Sequence, residues 1–156
     1  MLYFSKLKKE DLSKYALLTR GELPAEEYLA PELLLNEWGD IDSYILMNSD
    51  KEWIGWCAIS SKGSVCNPDG TEFLCGVVFP QYRNQGYLKY LYKIYFDKSI
   101  GKPKLIAINF YHDKLINLSE RYGFRPHQTN RIWNTYFCEK DMYPEEIRDL
   151  KLKELA

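Results

Sequence analysis

The most informative part of this 156-residue sequence is a short stretch that reads Val77-Val78-Phe79-Pro80-Gln81-Tyr82-Arg83-Asn84-Gln85-Gly86-Tyr87-Leu88. A nearly continuous apolar run over residues 72–79 predicts a central strand, and Pro80 ends it. After Gly86, apolar residues recur at the spacing of an amphipathic helix, with Leu88 as the first of them. The first amide groups of a helix lack internal partners and carry partial positive charge. The strand, turn and helix together therefore predict an anion site.

Two features of the turn favour a phosphate as the anion. Gly86 permits close approach of a phosphate to the backbone, and Arg83 adds a positive charge. The alternative is an ordinary strand-to-helix turn, in which a single glycine is common. No Gly-Lys-Ser/Thr follows, and the glycine spacing of a dinucleotide fingerprint is missing, so neither of those nucleotide-binding motifs applies.

The rest of the chain carries further strand and helix signals. Strands are predicted over residues 2–5, 43–47, 53–59, 72–79, 105–108 and 131–138. Helices are predicted over residues 11–20, 24–38, 112–122 and 144–155, besides the helix from Leu88 that Gly101 closes. This order predicts one α+β domain with a mixed sheet over residues 1–156.

The amino-acid composition and net charge exclude several classes of function. The chain is 46% hydrophobic with a net charge of -1, so it can build a core but lacks the basic excess typical of nucleic-acid binding. The four cysteines form no Cys-x-x-Cys pair, and Cys57 and Cys75 fall within predicted strands as buried reduced thiols. No apolar segment is typical of a signal peptide or a transmembrane helix. We therefore expect a cytoplasmic protein without a metal site, a membrane span or a nucleic-acid partner.

Two motifs resemble those of the GNAT N-acetyltransferases. The segment from Pro80 to Gly86 resembles the family's P-x-x-R-x-x-G, whose fuller pattern is Q/R-x-x-G-x-G/A. Downstream, Leu118-Ser119-Glu120-Arg121-Tyr122-Gly123-Phe124 resembles the family's second signature, a helix that ends in Gly-Phe. The resemblance covers about residues 2–138 and leaves helix 144–155 as a cap or a homodimer contact. It implies a mostly antiparallel central sheet flanked by helices, with a splayed strand pair that holds the coenzyme.

The resemblance implies that the chain binds acetyl-CoA as a cosubstrate. Backbone groups of Val77, Val78 and Phe79 would bond the pantetheine arm like an added strand. The amides of the turn would hold the pyrophosphate, namely those of Arg83, Asn84, Gln85, Gly86, Tyr87 and Leu88. His112 falls where the family commonly has an asparagine near the coenzyme, so it either contacts the coenzyme or caps the next helix.

The reaction implied is direct attack of a primary amine on the thioester, with a small molecule or a protein as the acceptor. Glu72 opens the central strand where some members place a base, and a solvated strand-end carboxylate is the equal alternative. The family's usual tyrosine, four residues before the Gly of Gly-Phe, is replaced by Ser119, a poorer acid. Tyr122 or Tyr111 would substitute for it, or would simply belong to the core. Tyr28 and Trp38 would shape the acceptor cleft.

Two departures from the family pattern leave a second interpretation open. Leu88 stands where Gly or Ala is usual, and Ser119 stands where Tyr is usual. A catalytically weak acetyl-CoA-binding module or sensor is therefore the alternative to an enzyme. A fold used only for protein interaction is a third.

Overall fold

The structure is a computed structural model that describes residues 1–19, 41–60, 70–109, 113–129 and 133–155. The regular elements of these residues, labelled here in chain order, are β1 (Leu2–Lys6), α1 (Leu12–Thr19), β2 (Ile41–Met47), β3 (Trp53–Ser60), β4 (Thr71–Val78), α2 (Leu88–Lys98), β5 (Lys104–Asn109), α3 (Asp113–Arg121), β6 (Arg125–Thr129), β7 (Trp133–Cys138), α4 (Glu145–Arg148) and β8 (Leu152–Glu154). The predicted helix over residues 24–38, with Tyr28 and Trp38, lies outside the described residues, as do Tyr111 and His112.

One sheet contains all the strands of the described residues, in the order β6-β7-β5-β4-β3-β2-β1-β8. Neighbouring strands are antiparallel except for β4 with β5 and β1 with β8, which are parallel. The predicted α+β class with a mixed, mostly antiparallel sheet is confirmed. None of the helices in the described ranges is long and apolar enough to cross a membrane.

Each face of the sheet carries its own hydrophobic core. Alternate residues of β2 divide between the two cores, because side chains of a strand point to opposite faces in turn. Tyr44 and Leu46 join the core beneath α2 and α3, whereas Ile45 and Met47 join the core beneath α1. Helix α2 supplies a fully buried row to the larger core, with Leu91, Tyr92, Ile94, Tyr95 and Phe96.

The predicted C-terminal helix over residues 144–155 is wrong. Helix α4 ends at Arg148, and β8 then pairs in parallel with β1, with Leu2 opposite Leu152. The apolar spacing of this segment fits a helix, but the open edge of β1 offers its backbone a ladder that local sequence does not reveal. A salt bridge between Lys98 and Glu154 also fixes β8 to α2. The homodimer expected from a terminal helix stays a prediction.

Strands β4 and β5 separate soon after they pair. Their ladder covers only residues 71–73 of β4 and 104–106 of β5, although β4 continues to Val78 and β5 to Asn109. Leu74 is an extra residue in β4, since Ala58 pairs with Cys75 and Ile59 pairs with Phe73. A bulge of this kind bends its strand and interrupts the ladder. The bulge lies where the pairing stops, and the predicted splayed strand pair is confirmed.

Candidate active site

Of the three residues predicted to bond the pantetheine arm, only Val78 has its backbone at the open edge of β4. The Phe79 amide donates to the Ile54 carbonyl oxygen at 2.9 Å, so residue 79 is bonded to β3. The Val77 carbonyl also points at β3, because a Cβ built on Gly55 would lie 2.7 Å from its oxygen. Bonded and non-bonded residues alternate along an antiparallel ladder. The backbone of Val78 therefore faces away from β3, towards the space that β5 has left.

The turn after β4 has a backbone suited to anions. Asn84 and Gly86 both adopt positive φ angles, 62° and 82°. Asparagine and glycine are the residues that tolerate this region best, which explains why they stand here. Gly86 is followed by Tyr87 at φ -79° and ψ -20°, a pair of conformations that turns successive amides towards one side.

The amides at the start of α2 receive no side-chain cap within the described part of the chain. Its N-cap, Tyr87, makes no capping hydrogen bond, and no acidic residue stands in the first turn. These amides therefore keep the partial positive charge of a helix N-terminus. Leu88, the departure from the family pattern, is the first residue of α2, and its side chain packs against the larger core.

Two cationic side chains accompany the turn. The Nε of the exposed Arg83 donates to the Val78 carbonyl oxygen at 2.9 Å, which ties the turn to the end of β4. The Nζ of Lys89 lies 4.0 Å from the position that a Cβ on Gly86 would take. Sequence reasoning missed Lys89, although its basic side chain directly follows the motif. A negative ligand at the turn would meet both charges.

Glu72 carries a partly buried carboxyl beside the split, the place where β4 and β5 separate. It pairs with Ser60 of β3 and with Leu105 of β5, one residue before the β4–β5 ladder ends. Its neighbours Thr71 and Phe73 face α2, so Glu72 points to the other face of the sheet. Burial raises the pKa of this carboxyl above its ordinary value. A raised pKa brings a carboxylate closer to the proton affinity that a general base needs.

Ser119 and Tyr122 lie in the core. Ser119 is 0% exposed, and its hydroxyl lies 2.6 Å from that of Tyr92, so each satisfies the other. Tyr122 is 1% exposed and packs edge-on against the Tyr92 ring. The small serine leaves room for α2 and α3 to meet at this ring. This placement argues against the prediction that either side chain contacts a departing thiolate.

The described residues bring together no three His, Cys, Asp or Glu side chains that would hold a metal ion. Cys57 is fully buried, and burial raises the pKa of its thiol well above the ordinary value, whereas Cys75 is only partly buried. The thiol of Cys57 therefore stays protonated within the sheet.

No family model matches this sequence, and no curated protein matches it significantly. Solved structures do share its fold. A chimera of the Vibrio cholerae spermidine N-acetyltransferase SpeG with hSSAT superposes with a TM-score of 0.69 at 14% identity, over 96% of this chain and 99% of that one. The fold is of the GNAT type.

A second structure with the GNAT-type fold is the Vibrio cholerae spermidine N-acetyltransferase in complex with CoA and spermine. It superposes with a TM-score of 0.65 at 14% identity, over 87% of this chain and 92% of that one. At such identities the likeness establishes the shared fold, and function has to be argued from the site.

Proposed function

We propose that this chain transfers an acetyl group from acetyl-CoA to a primary amine by direct attack in a ternary complex. One observation carries the proposal: the split between β4 and β5 runs directly into a turn whose helix start has no side-chain cap. An extended arm can enter the split while its attached phosphates meet the turn. Coenzyme A has this combination of an extended amide-containing arm and a pyrophosphate.

The arm binds along the open edge of β4. The N–H of Val78 donates to the pantetheine arm, which lies along β4 as a short extra strand, the mode in which extended ligands use exposed sheet edges. The Val78 carbonyl oxygen keeps its hydrogen bond from Arg83. Val77 and Phe79 support the edge from behind through their bonding to β3. The pyrophosphate then accepts hydrogen bonds from the amides of residues 84–88, and Arg83 and Lys89 neutralise its charge.

The chemistry needs a neutral amine and a stabilised oxyanion. The amine nitrogen attacks the thioester carbonyl carbon, and a backbone N–H near Val78 donates to the oxygen that becomes negative. Glu72 stands six residues before Val78 on β4, so the proton that the nitrogen loses reaches its carboxylate through a chain of waters. The carbon–sulfur bond then breaks, and the thiolate leaves without an acid because thiols have a pKa of only about 8.5. The products are the N-acetylated amine and free coenzyme A.

Polyamines are the first acceptors to test. Between residues 20 and 40 the sequence contains six acidic residues and one basic residue, a local excess that attracts polycations. The family resemblance assigns part of this segment to the acceptor cleft. The solved structures that share the fold include spermidine N-acetyltransferases by name.

The test follows thiol release from acetyl-CoA in the presence of spermidine, a lysine-containing peptide and small primary amines. We expect release with at least one amine, and a product heavier by one acetyl group by mass spectrometry. Release that stays at the background rate with every amine would reject the enzyme proposal.

The alternative is a catalytically weak acetyl-CoA-binding module. The burial of Ser119 and Tyr122 favours it, since neither is placed to protonate the thiolate. Calorimetry separates the two functions. Tight binding of acetyl-CoA without turnover, and without any effect of Glu72→Gln, would identify a sensor.

A further inference from the structure

The hydroxyl of Tyr95 lies between β4 and β5 at the base of their split. It accepts a hydrogen bond from the Leu105 amide at 3.0 Å and one from the Thr71 hydroxyl at 3.1 Å. Its own proton is shared between the Thr71 and Leu105 carbonyl oxygens, at 2.9 and 3.1 Å. One side-chain oxygen thus joins the two strands within the three-residue ladder that precedes their separation.

The same residue links the split to the turn that begins α2. Tyr95 lies seven residues after Leu88, two helical turns along the same helix. It is fully buried, and Phe73 of β4 packs against its ring with centroids 5.2 Å apart. A second hydroxyl, that of Ser99 at the C-cap of α2, lies 3.0 Å from the Thr71 hydroxyl. Helix α2 therefore fixes the first residues of β4 and β5 from one side.

We infer that Tyr95 is a positioning residue for acetyl-CoA: its hydroxyl sets the separation of β4 and β5 and so the width of the space that receives the pantetheine arm. The inference rests on the proposed function, because it assigns the split to that arm. Without the hydroxyl, the Leu105 amide loses a partner in a buried place, and the strands move to satisfy it. The edge that Val78 presents then shifts relative to the turn at Gly86.

The experiment compares Tyr95→Phe with a matched control, Tyr92→Phe. Both tyrosines are fully buried on α2, and both rings pack against Phe73 of β4. They differ in the hydroxyl, which in Tyr92 bonds Ser119 of α3 and in Tyr95 bonds Thr71 and Leu105. Three ligands divide the coenzyme into parts. Acetyl-CoA contains the arm and the phosphates, acetyl-pantetheine contains only the arm, and adenosine 3′,5′-bisphosphate contains neither the arm nor the full pyrophosphate.

For Tyr95→Phe we expect the dissociation constants of acetyl-CoA and acetyl-pantetheine to rise about tenfold, the equivalent of one hydrogen bond. Binding of adenosine 3′,5′-bisphosphate changes by less than about twofold, because the turn is intact. In turnover, KM for acetyl-CoA rises more than kcat falls. Amide hydrogen exchange at Leu105 becomes faster in Tyr95→Phe and not in Tyr92→Phe.

Equal effects of the two substitutions, or an equal loss for all three ligands, would overturn the positioning role and leave the proposed function standing. A wild-type protein that binds neither acetyl-CoA nor acetyl-pantetheine would remove both. Should Tyr95→Phe fail to fold, Thr71→Val removes one bond to the same hydroxyl and keeps the Thr71 carbonyl. It is expected to weaken acetyl-pantetheine about threefold, and unchanged binding would count against the inference.

Discussion

Gly86 and Gly101 form a natural pair for testing the anion site. Both have a positive φ, 82° and 77°, so alanine is strained to a similar extent at either position. The left-handed region costs a residue with a Cβ about 1–2 kcal/mol. Among the described residues, a Cβ at Gly101 meets nothing within 4 Å, and at Gly86 it meets only the Lys89 side chain at 3.9 Å. We therefore expect Gly86→Ala and Gly101→Ala to lower the free energy of unfolding equally, by about 1–2 kcal/mol.

Ligand binding should separate the two variants. The added methyl of Gly86→Ala stands in front of the turn amides, where the pyrophosphate is proposed to bind, whereas Gly101 lies beyond the other end of α2. The dissociation constant of acetyl-CoA should rise about tenfold or more in Gly86→Ala, a loss of about 1.4 kcal/mol. It should stay within about twofold of wild type in Gly101→Ala.

Two measurements are sufficient for this comparison. Urea denaturation followed by circular dichroism gives the free energies of unfolding, and calorimetry gives the dissociation constants. Equal weakening of acetyl-CoA binding in both variants would show that backbone strain alone is responsible. Unchanged binding in Gly86→Ala would remove the phosphate site from this turn.

Three further predictions follow from the same structure. Burial raises the pKa of Glu72, so ionisation of this carboxyl opposes folding. The protonated carboxyl contributes its full stability below the ordinary pKa of 4.5, and this stability is lost as the pH rises through the higher pKa of the folded protein. Glu72→Gln should therefore flatten the pH dependence of Tm above pH 4.5. If Glu72 is the base, the same substitution should abolish the rise of kcat/KM with pH. Ser119→Ala should lower the free energy of unfolding by about 1–3 kcal/mol, because the buried Tyr92 hydroxyl loses its partner. We expect kcat to change by less than about twofold, and a large fall in kcat would show that Ser119 takes part in the reaction. Lys98→Ala removes a partly exposed salt bridge to Glu154 and should cost at most about 1 kcal/mol in denaturation, and a larger loss would mean that β8 depends on this one contact.

The strand, turn and helix at the site were predictable because their signals are local. The predicted strand over residues 72–79 differs from Thr71–Val78 by one residue at each end, and the helix predicted after Gly86 is confirmed as Leu88–Lys98. Apolar runs, a proline stop and helical spacing all act within a few residues. The split itself followed from the family resemblance, and the bulge at Leu74 that accompanies it has no sequence signal of its own.

The features that the sequence did not reveal depend on contacts between distant residues. The hydroxyl of Ser119 bonds Tyr92, 27 residues earlier, and the part of Ser119 in the reaction stays a prediction. The C-terminal segment became a strand because β1, at the other end of the described chain, had an unpaired edge. No local pattern encodes either partner, so periodicity alone favoured the wrong structure for residues 144–155.

The pairing of β1 with β8 has a consequence for how the chain folds. Leu2 is opposite Leu152, a separation of 150 residues, so this ladder is the most expensive loop closure in the sheet. During synthesis β1 leaves the ribosome long before its outer partner exists. In that interval one side of β1 is an unprotected template for strands of other chains. Once β8 has been synthesised, this short, charged strand pairs with the edge of β1 and covers it, with Lys153 and Glu154 exposed.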